Sequence, residues 1–284
     1  MKTTLRKTLL SMAMLVTAAS SNQAALLLYD GMESYTTGAG INGLNGGNAF
    51  GGASWSAYST ASVGQTIQAV SLNYSAGVVT VNGGAKAYYS NSGGATFLTS
   101  RGYSIPAVAD GGSVFVSYLI QSPGSFEGTG AFTQLGLYGS DNWGAITFAQ
   151  SGETQLGVRA GSGSNIGGAA DDLQNGVTYF VVQEYKISGT DTIISTWLNP
   201  TSLTLGAPNA TGTGSTGSFT FTQMRIRGAL NASTYYFDEF RIGTSLADVV
   251  PVPEPGGIRL ALLGAGALGA LLYRRRSRAR LLRG

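Results

Sequence analysis

The sequence contains no cysteine and no histidine. Without cysteine, a chain that enters an oxidising compartment gains no disulfide support. Without histidine, it lacks the commonest general base and the commonest metal ligand of proteins. The usual serine and cysteine triads need histidine and are therefore excluded, which leaves carboxylates as the candidate catalytic groups.

Charged residues are also scarce, at 11% of the chain, and they are unevenly distributed. Ten of the 17 basic residues lie near the two ends: Lys2, Arg6, Lys7, Arg259, Arg274, Arg275, Arg276, Arg278, Arg280 and Arg283. All 14 acidic residues lie between Asp30 and Glu254, against seven basic ones, so this body has a formal charge of −7. An acidic body argues against nucleic acid as a partner, because neutralising phosphates needs clustered lysine and arginine.

The N-terminal residues have the layout of a secretory signal peptide. A basic start is followed by the apolar run from Leu9 to Ala19 and then by small residues. We expect a signal peptide over residues 1–24 with cleavage after Ala24, and Ala19 and Ala25 are alternative positions. An N-terminal membrane anchor would need a longer apolar run than this one.

The C-terminal residues 249–284 form a tail of three parts. The motif Val252, Pro253, Glu254, Pro255 precedes an apolar segment, and a basic end at 274–284 contains Arg274, Arg275, Arg276 and Arg278. The segment predicts a transmembrane helix at about 257–273, which at roughly 1.5 Å per residue is a minimal span for a core of about 30 Å. The arginines should remain cytoplasmic and place the body outside. One alternative is a buried core helix followed by a solvated basic end. The other is a basic arm that binds nucleic acid.

This tail resembles a PEP-CTERM sorting signal, the bacterial C-terminal signal that exosortases process. Motif, helix and arginine cluster occur in the order of that family, and Arg259 departs from its wholly apolar helix. The resemblance implies an exosortase-type partner, cleavage near Val252–Pro255 and passage through the inner membrane. It also implies delivery to the cell surface or extracellular matrix, in association with extracellular polysaccharide.

The body, residues 26–248, is rich in short alternating runs that predict strands. The clearest are Ser113 to Ile120 and Thr178 to Tyr185, and the others are Thr66 to Leu72, Val78 to Val81, Phe132 to Tyr138, Thr192 to Leu198, Phe219 to Ile226 and Tyr235 to Ile242. We expect an all-β antiparallel sandwich. Gly38 to Gly52 and Gly161 to Gly168 are predicted to be loops, and Ala207 to Ser218 a hairpin loop or a mobile excursion.

The residues near the two ends of the body resemble the first and last strands of a concanavalin A-like, laminin-G-like jelly roll. They are Leu28 to Met32 and Phe237 to Thr244, and Trp143 to Phe148 and Trp197 to Pro200 fit the same layout. The resemblance implies that the first and last strands pair, which would hold the chain ends together without disulfides.

Acidic pairs are the candidates for catalysis, because glycoside hydrolysis uses two carboxylates across a groove. The pairs are Asp30/Glu33, Asp171/Asp172 and Asp238/Glu239. Neighbours on a strand point to opposite faces, so we expect that Asp238 and Glu239 do not line one groove, and Asp171/Asp172 suits a solvated turn. No catalytic residue and no cofactor is therefore predicted.

Two weaker kinds of site remain. Asp30, Asp238 or Asp141/Asn142 could hold a structural calcium ion if loops converge, although no EF-hand spacing supports it, and surface acids without a metal are the alternative. Trp55, Tyr58, Tyr88, Tyr89 and Trp143 are aromatic candidates for stacking on sugars, with core packing as the alternative for each.

The function predicted from the sequence is that of an exported, non-catalytic binding or structural module. The alternative is a carbohydrate-active enzyme, a glycoside hydrolase or lyase, on the same fold, since a fold does not fix a function.

Changing Glu254 to Gln together with Pro253 to Ala should block processing and leave the body folded. The two prolines hold the motif extended and display one carboxylate outside the membrane. A blot of fractionated cells, in a host with the processing enzyme, should then show the full-length chain in the inner membrane. Normal release of the double variant would mean that the motif is an ordinary linker.

Overall fold

The computed structural model describes twelve stretches of the chain, and the predicted targeting segments lie outside them. The stretches are residues 26–47, 53–59, 64–91, 97–103, 107–123, 132–139, 143–150, 157–160, 166–167, 173–215, 221–229 and 234–251. The chain divides into the units Met1–Pro251 and Val252–Gly284. Ala24, the motif Val252–Pro255, the span at 257–273 and the arginines after it are all outside the described residues.

Nearly all regular structure in the described residues is β-strand. One sheet, sheet A, contains β1 (Leu26–Asp30), β3 (Gln65–Gln68), β6 (Ala87–Ser90), β8 (Ser113–Gln121), β13 (Thr178–Ser188), β14 (Asp191–Leu198), β15 (Ala210–Ser215) and β17 (Tyr235–Gly243). Sheet B contains β2 (Trp55–Ser59), β7 (Phe97–Gly102), β9 (Phe132–Tyr138), β10 (Trp143–Gln150), β11 (Gly157–Ala160), β12 (Ile166–Gly167) and β16 (Gln223–Ala229). A separate hairpin joins β4 (Asn73–Ala76) to β5 (Val79–Asn82), and α1 (Leu246–Val249) is one turn long.

The strand order is that of a jelly roll. Sheet A runs β15-β14-β13-β8-β17-β6-β3, and sheet B runs β12-β11-β10-β9-β16-β7-β2. Strands β6 to β9 alternate between the sheets, and β17 lies between β6 and β8 while β16 lies between β7 and β9. Every described strand pair is antiparallel. The predicted antiparallel jelly-roll sandwich is confirmed.

The first and last strands pair, as the resemblance implied. Leu28 lies opposite Ile242 and Asp30 lies opposite Phe240 in an antiparallel ladder between β1 and β17. Strand β17 is also bonded to β8 and β6. The last strand is therefore fixed in the middle of sheet A and holds the first strand beside it.

The middle of sheet A is buried on both faces. Alternate residues of β8, such as Val116 and Ile120, join the core between the sheets. The other face, with Leu119 and Phe180, packs under the β4–β5 hairpin and the end of α1, in a second apolar cluster that includes Leu72, Val79, Val81, Val182 and Val249. A sheet covered on both faces has nearly continuous apolar strands, which explains the long buried run in β13.

Two predicted loops contain strands. The run from Ala207 to Ser218 contains β15, which pairs with β14 from Ala210 to Ser215, and Gly161 to Gly168 contains β12. The ladder at a sheet edge is made by backbone groups, so glycine can occupy it although it is depleted in strands elsewhere, and the threonines of β15 favour a strand. Composition alone therefore gave the wrong structure at these edges.

A buried ion pair connects the two sheets at one end of the core. Asp30 ends β1 in sheet A and forms an ion pair with Arg101 of β7 in sheet B, and both side chains are at most 1% exposed. The Tyr35 hydroxyl and the Trp55 indole N–H also donate to Asp30 Oδ2, over 2.6 Å and 3.0 Å. Arg101 further donates to the carbonyls of Gly46 and Ala53. The network thus satisfies both buried charges.

Replacing Asp30 with Ala should lower the free energy of unfolding by about 3–5 kcal/mol, because it leaves the Arg101 charge buried without its counterion. Chemical denaturation of the purified protein measures this loss. The matched control is Asp191→Ala, at a half-exposed carboxylate of β14 that has no ion pair in the described residues. Equal losses in the two variants would show that the ion pair does not hold the sheets together.

Candidate functional site

The carboxylates of the body gather where β1 meets β17. Asp30 and Asp238 are 0% exposed and Glu239 is 2% exposed. Glu33 follows closely after β1. This gathering makes the junction the candidate site with the most ionisable groups in the described residues.

Strand β17 is irregular at Asp238 and Glu239, whereas the prediction that the two carboxylates do not line one groove assumed a regular strand. The β17–β8 register shifts, so that Asp238 lies opposite Leu119 and Arg241 lies opposite Ser117. Glu239 has a φ of 55°, in the left-handed region that few non-glycine residues adopt. Such a β-bulge adds one residue to the strand and breaks its alternation, so both carboxylates become buried.

Glu239 is held by two partners. The Tyr29 hydroxyl donates to Glu239 Oε1 over 2.6 Å, and Arg241 Nη2 donates to Oε2 over 2.6 Å. The Arg241 guanidinium also lies 4.7 Å from the centre of the Tyr29 ring. Burial and the Glu239 carboxylate raise the pKa of Tyr29. Glu239 is therefore held at the bulge by a hydroxyl and a guanidinium.

Asp238, like Asp248, is a buried acid with one carboxylate oxygen that lacks a hydrogen bond in the described residues. Its Oδ1 accepts from the Glu239 backbone N–H over 2.8 Å, whereas Oδ2 has no hydrogen bond in the described residues. Burial raises the pKa of Asp238 to about 10, and the charges of Glu239, Glu33 and Asp30 add to that effect. A group of this kind is protonated at neutral pH unless a cation balances it.

Two glycines make room for carboxylates beside Asp238. A side chain at Gly83 would collide with the Asp238 carboxylate and the Leu72 carbonyl, and one at Gly84, whose φ is +66°, would collide with Glu33. The Glu33 Oε1 atom accepts from the backbone N–H groups of Ala85 and Lys86, over 2.6 Å and 2.8 Å. The turn after β5 thus brings the two carboxylates and a backbone carbonyl together.

The other predicted calcium ligands are either bonded to other groups or outside the described residues. Asp30 is committed to Arg101, Tyr35 and Trp55, while Asp141/Asn142 and Asp171/Asp172 lie outside the described residues. Across the twelve described stretches, no three side chains of aspartate, glutamate, histidine or cysteine come together as metal ligands. Any metal at Asp238 would have to complete its coordination with backbone oxygens, neutral side-chain oxygens or water.

The aromatic candidates for sugar stacking are divided by their burial. Trp55 and Tyr88 are each 1% exposed and belong to the core, so core packing is the correct interpretation for both. Tyr89 is half-buried and pairs with Tyr236, with 5.4 Å between the ring centres. The side chains of Tyr58 and Trp143 are outside the described part of the structure.

Sheet B carries a basic cluster that the sequence analysis missed. Arg225 lies over the ring of Tyr138, 4.6 Å from its centre. Arg159 and Arg227 are close enough to affect the Tyr138 hydroxyl electrostatically. Arg225 and Arg227 are two residues apart on β16 and share one face of it, so their proximity could have been predicted from the sequence. The approach of Arg159 depends on strand pairing and could not be foreseen.

The strand order defines an antiparallel β-sandwich of the jelly-roll type. The chain also carries a sorting signal, because the family model described as the PEP-CTERM protein-sorting motif matches residues 251–276. That range includes Val252–Pro255 and Arg274–Arg276, and Arg278 lies just beyond it. This motif indicates an exported protein that has a C-terminal membrane anchor before exosortase processing.

Solved structures with a similar arrangement have low sequence identity. The endo-1,3-beta-glucanase from Streptomyces sioyaensis is 13% identical with a TM-score of 0.46, and the match covers 79% of this chain and 97% of that one. The T. cruzi calreticulin globular domain is 11% identical with a TM-score of 0.44, over 69% and 85%. A beta-1,3-glucanase from Mycobacterium marinum is 11% identical with a TM-score of 0.43, over 78% and 100%. No curated protein matches the chain.

In the described stretches, no helix is long and apolar enough to cross a membrane. The span predicted at about 257–273 lies outside those stretches.

Proposed function

We propose that this chain is a surface or matrix protein whose body is a non-catalytic binding or structural module for extracellular polysaccharide. The observation that carries the proposal is the sorting motif at residues 251–276. An exosortase-type enzyme would act near Val252–Pro255 after the tail has entered the inner membrane. The body would then reach the cell surface or the extracellular matrix.

The state of the acids supports a module without catalysis. A glycosidase needs two carboxylates about 5–10 Å apart that face a common groove. Asp30 and Glu239 each have basic and hydroxyl partners inside the protein, and Asp238 is 0% exposed. A surface pocket after β14, bounded by Trp197, Pro200 and Asn209, has no ionisable side chain in its lining. The alternative of a glycoside hydrolase or lyase has no comparable support in the described residues.

Mature protein purified from its host should sediment with the extracellular polysaccharide of that host and release no sugar from it. A module holds its polymer without bond cleavage, so the number of reducing ends should stay constant over hours. Newly formed reducing or unsaturated ends would favour the hydrolase or lyase. Protein that stays in the supernatant and cleaves nothing would contradict the module.

We also propose that Asp238 takes part in a structural calcium site. The support is the buried Oδ2 atom without a partner, the neighbouring Glu33 carboxylate and the Leu72 carbonyl beside Gly83. Calcium prefers carboxylate and carbonyl oxygens and accepts varied geometry. When bound, the ion would supply the positive charge that an ionised Asp238 lacks.

Without calcium, the stability of the protein should fall as the pH rises from 5 to 9. The folded-state pKa of Asp238 is raised to about 10. The stability that protonated Asp238 contributes is therefore complete below its ordinary pKa of about 4, and it is lost progressively as the pH rises from there toward 10. The free energy of unfolding should fall by at most on the order of 1 kcal/mol per pH unit. Thermal unfolding with chelator or calcium measures both effects.

Asp238→Asn is the matched variant, since it keeps the shape and removes the titration. It should flatten the pH dependence and abolish the rise in Tm that calcium gives to the wild type at pH 8. An equal rise in Tm for both proteins would show that calcium binds elsewhere.

A further inference from the structure

The loop between β14 and β15 is held in place by the β4–β5 hairpin. The Tyr74 hydroxyl donates to the carbonyls of Asn199 and Pro200, over 2.7 Å and 3.2 Å. The Val78 backbone N–H donates to the Thr201 carbonyl over 3.0 Å. The start of the loop is therefore anchored to the hairpin, and a loop anchored in this way can present side chains at fixed positions.

Two asparagines at the ends of this loop are oriented by their side-chain oxygens. Asn199 Oδ1 accepts from the Phe180 backbone N–H over 2.8 Å, and Asn209 Oδ1 accepts from the Leu198 backbone N–H over 2.8 Å. Each amide therefore keeps its Nδ2 group as a donor, and neither Nδ2 group meets an acceptor in the described part of the chain.

The backbone of Asn199 is strained. Its φ is 51°, in the left-handed region that few non-glycine residues adopt. Residues in such conformations persist only where their surroundings fix them, and they cluster at sites that bind ligands. The strain therefore marks the start of this loop as a place to look for a ligand.

Both asparagines line a half-open pocket with a volume of about 200 Å³. Trp197 also lines it, and the indole N–H of Trp197 donates to the Gly206 carbonyl over 2.9 Å, which ties the ring to the loop. The hydroxyl side chains in the lining are Thr201, Ser202 and Thr204. An aromatic wall with a few placed polar groups is the usual composition of a site for a small ligand.

The size and charge of the pocket limit what it can bind. Pockets for drug-sized ligands have volumes of about 300–1,000 Å³, so this smaller space suits a single ring. Its lining residues, all of them described by the structure, include no ionisable side chain. A charged ligand would lose water there without gaining a counterion, so a neutral ligand is favoured.

A neutral sugar ring matches these groups. The C–H groups on the faces of a pyranose can pack on an indole ring. The hydroxyl oxygens around its edge can accept hydrogen bonds from amide N–H groups.

We infer that this pocket binds one neutral pyranose unit of the polysaccharide, with Trp197 against the ring and Asn199 and Asn209 as donors to its hydroxyl oxygens. This inference rests on the proposed polysaccharide-binding function, and it names the binding site and the class of sugar. The lining belongs to one short segment, residues 197–209, so the other units of the polymer lie outside the pocket.

The first test titrates mature protein with the methyl pyranosides of glucose, galactose and mannose and with methyl galacturonide, and it follows tryptophan fluorescence. At least one neutral glycoside should change the emission, because Trp197 lines the pocket, and Trp197→Phe should remove that change. Added salt should leave this affinity unaltered, because no charges attract the ligand. Tighter binding of the galacturonide, or a change in emission that persists in Trp197→Phe, would contradict the inference.

A second test fills the pocket. A side chain at Gly206 would begin in open space beside the other lining residues, so Gly206→Phe should occupy the pocket and abolish binding of the glycoside. Gly40→Phe is the matched control. Gly40 is also exposed, a side chain there would come no closer than 3.9 Å to another residue, and it lies beside β3 at the opposite edge of sheet A.

A third variant removes one donor. Asn199→Gly should weaken binding of the glycoside about threefold to tenfold, since one hydrogen bond is lost and glycine tolerates the left-handed φ. Asn42→Gly is its control, because Asn42 is exposed and its Oδ1 atom likewise accepts a backbone N–H. Circular dichroism checks that each variant is folded, and if Asn199→Gly unfolds, Gly206→Phe decides.

Sedimentation with the host's polysaccharide separates the two proposals. Gly206→Phe should sediment less than the wild type and the Gly40→Phe control. If all three sediment equally, the module stands and the pocket is not its binding site. If neither the polysaccharide nor any glycoside binds, both proposals fail. If Gly206→Phe loses the polysaccharide but no single glycoside binds to the wild type, the site takes more than one unit, and the inference of a single-unit pocket is wrong.

Discussion

The buried ion pair between Asp30 and Arg101 is the interaction on which the arrangement of the two sheets depends. Two charges removed from water are costly unless other groups also bond to them. Here the Tyr35 hydroxyl and the Trp55 indole complete the carboxylate, and the carbonyls of Gly46 and Ala53 complete the guanidinium. Because these donors and acceptors come from both sheets and from the loop after β1, the pair fixes their relative positions. A protein without cysteine thereby gains a link of defined geometry between its layers.

The other unusual feature, the bulge at Glu239 in β17, lies at the same end of β1. Tyr29 precedes Asp30 in β1 and donates to Glu239, so adjacent residues of one strand support the link between sheets and the bulge. The two sheets also differ in what covers them. Sheet A is covered by the β4–β5 hairpin and α1, whereas sheet B has basic side chains on its outer face.

The sequence predicted the parts of the fold that depend on local patterns. Strands β8, β13 and β17 have alternating or continuous apolar residues because they line one or two cores, and the pairing of β1 with β17 followed from family resemblance. Strand β15 was missed because its stability comes from backbone bonds to β14 and not from its side chains. The burial of Asp238 beside Glu239 was missed because alternation assumes a regular strand, and a bulge with a left-handed glutamate cannot be inferred from residue types. The arginine cluster needed the non-local register of four strands.

The pairing of the first strand with the last determines when this protein can finish folding. Tyr29 and Glu239 are 210 residues apart in the chain, and contacts between such distant residues form slowly. An exported chain that crosses the membrane from its N-terminus would deliver β1 first and β17 almost last. Until β17 arrives, β1 has no partner strand among the described strands. The sandwich can therefore close only when the segment next to the sorting motif has emerged, which couples completion of the fold to the moment when the tail becomes available for processing.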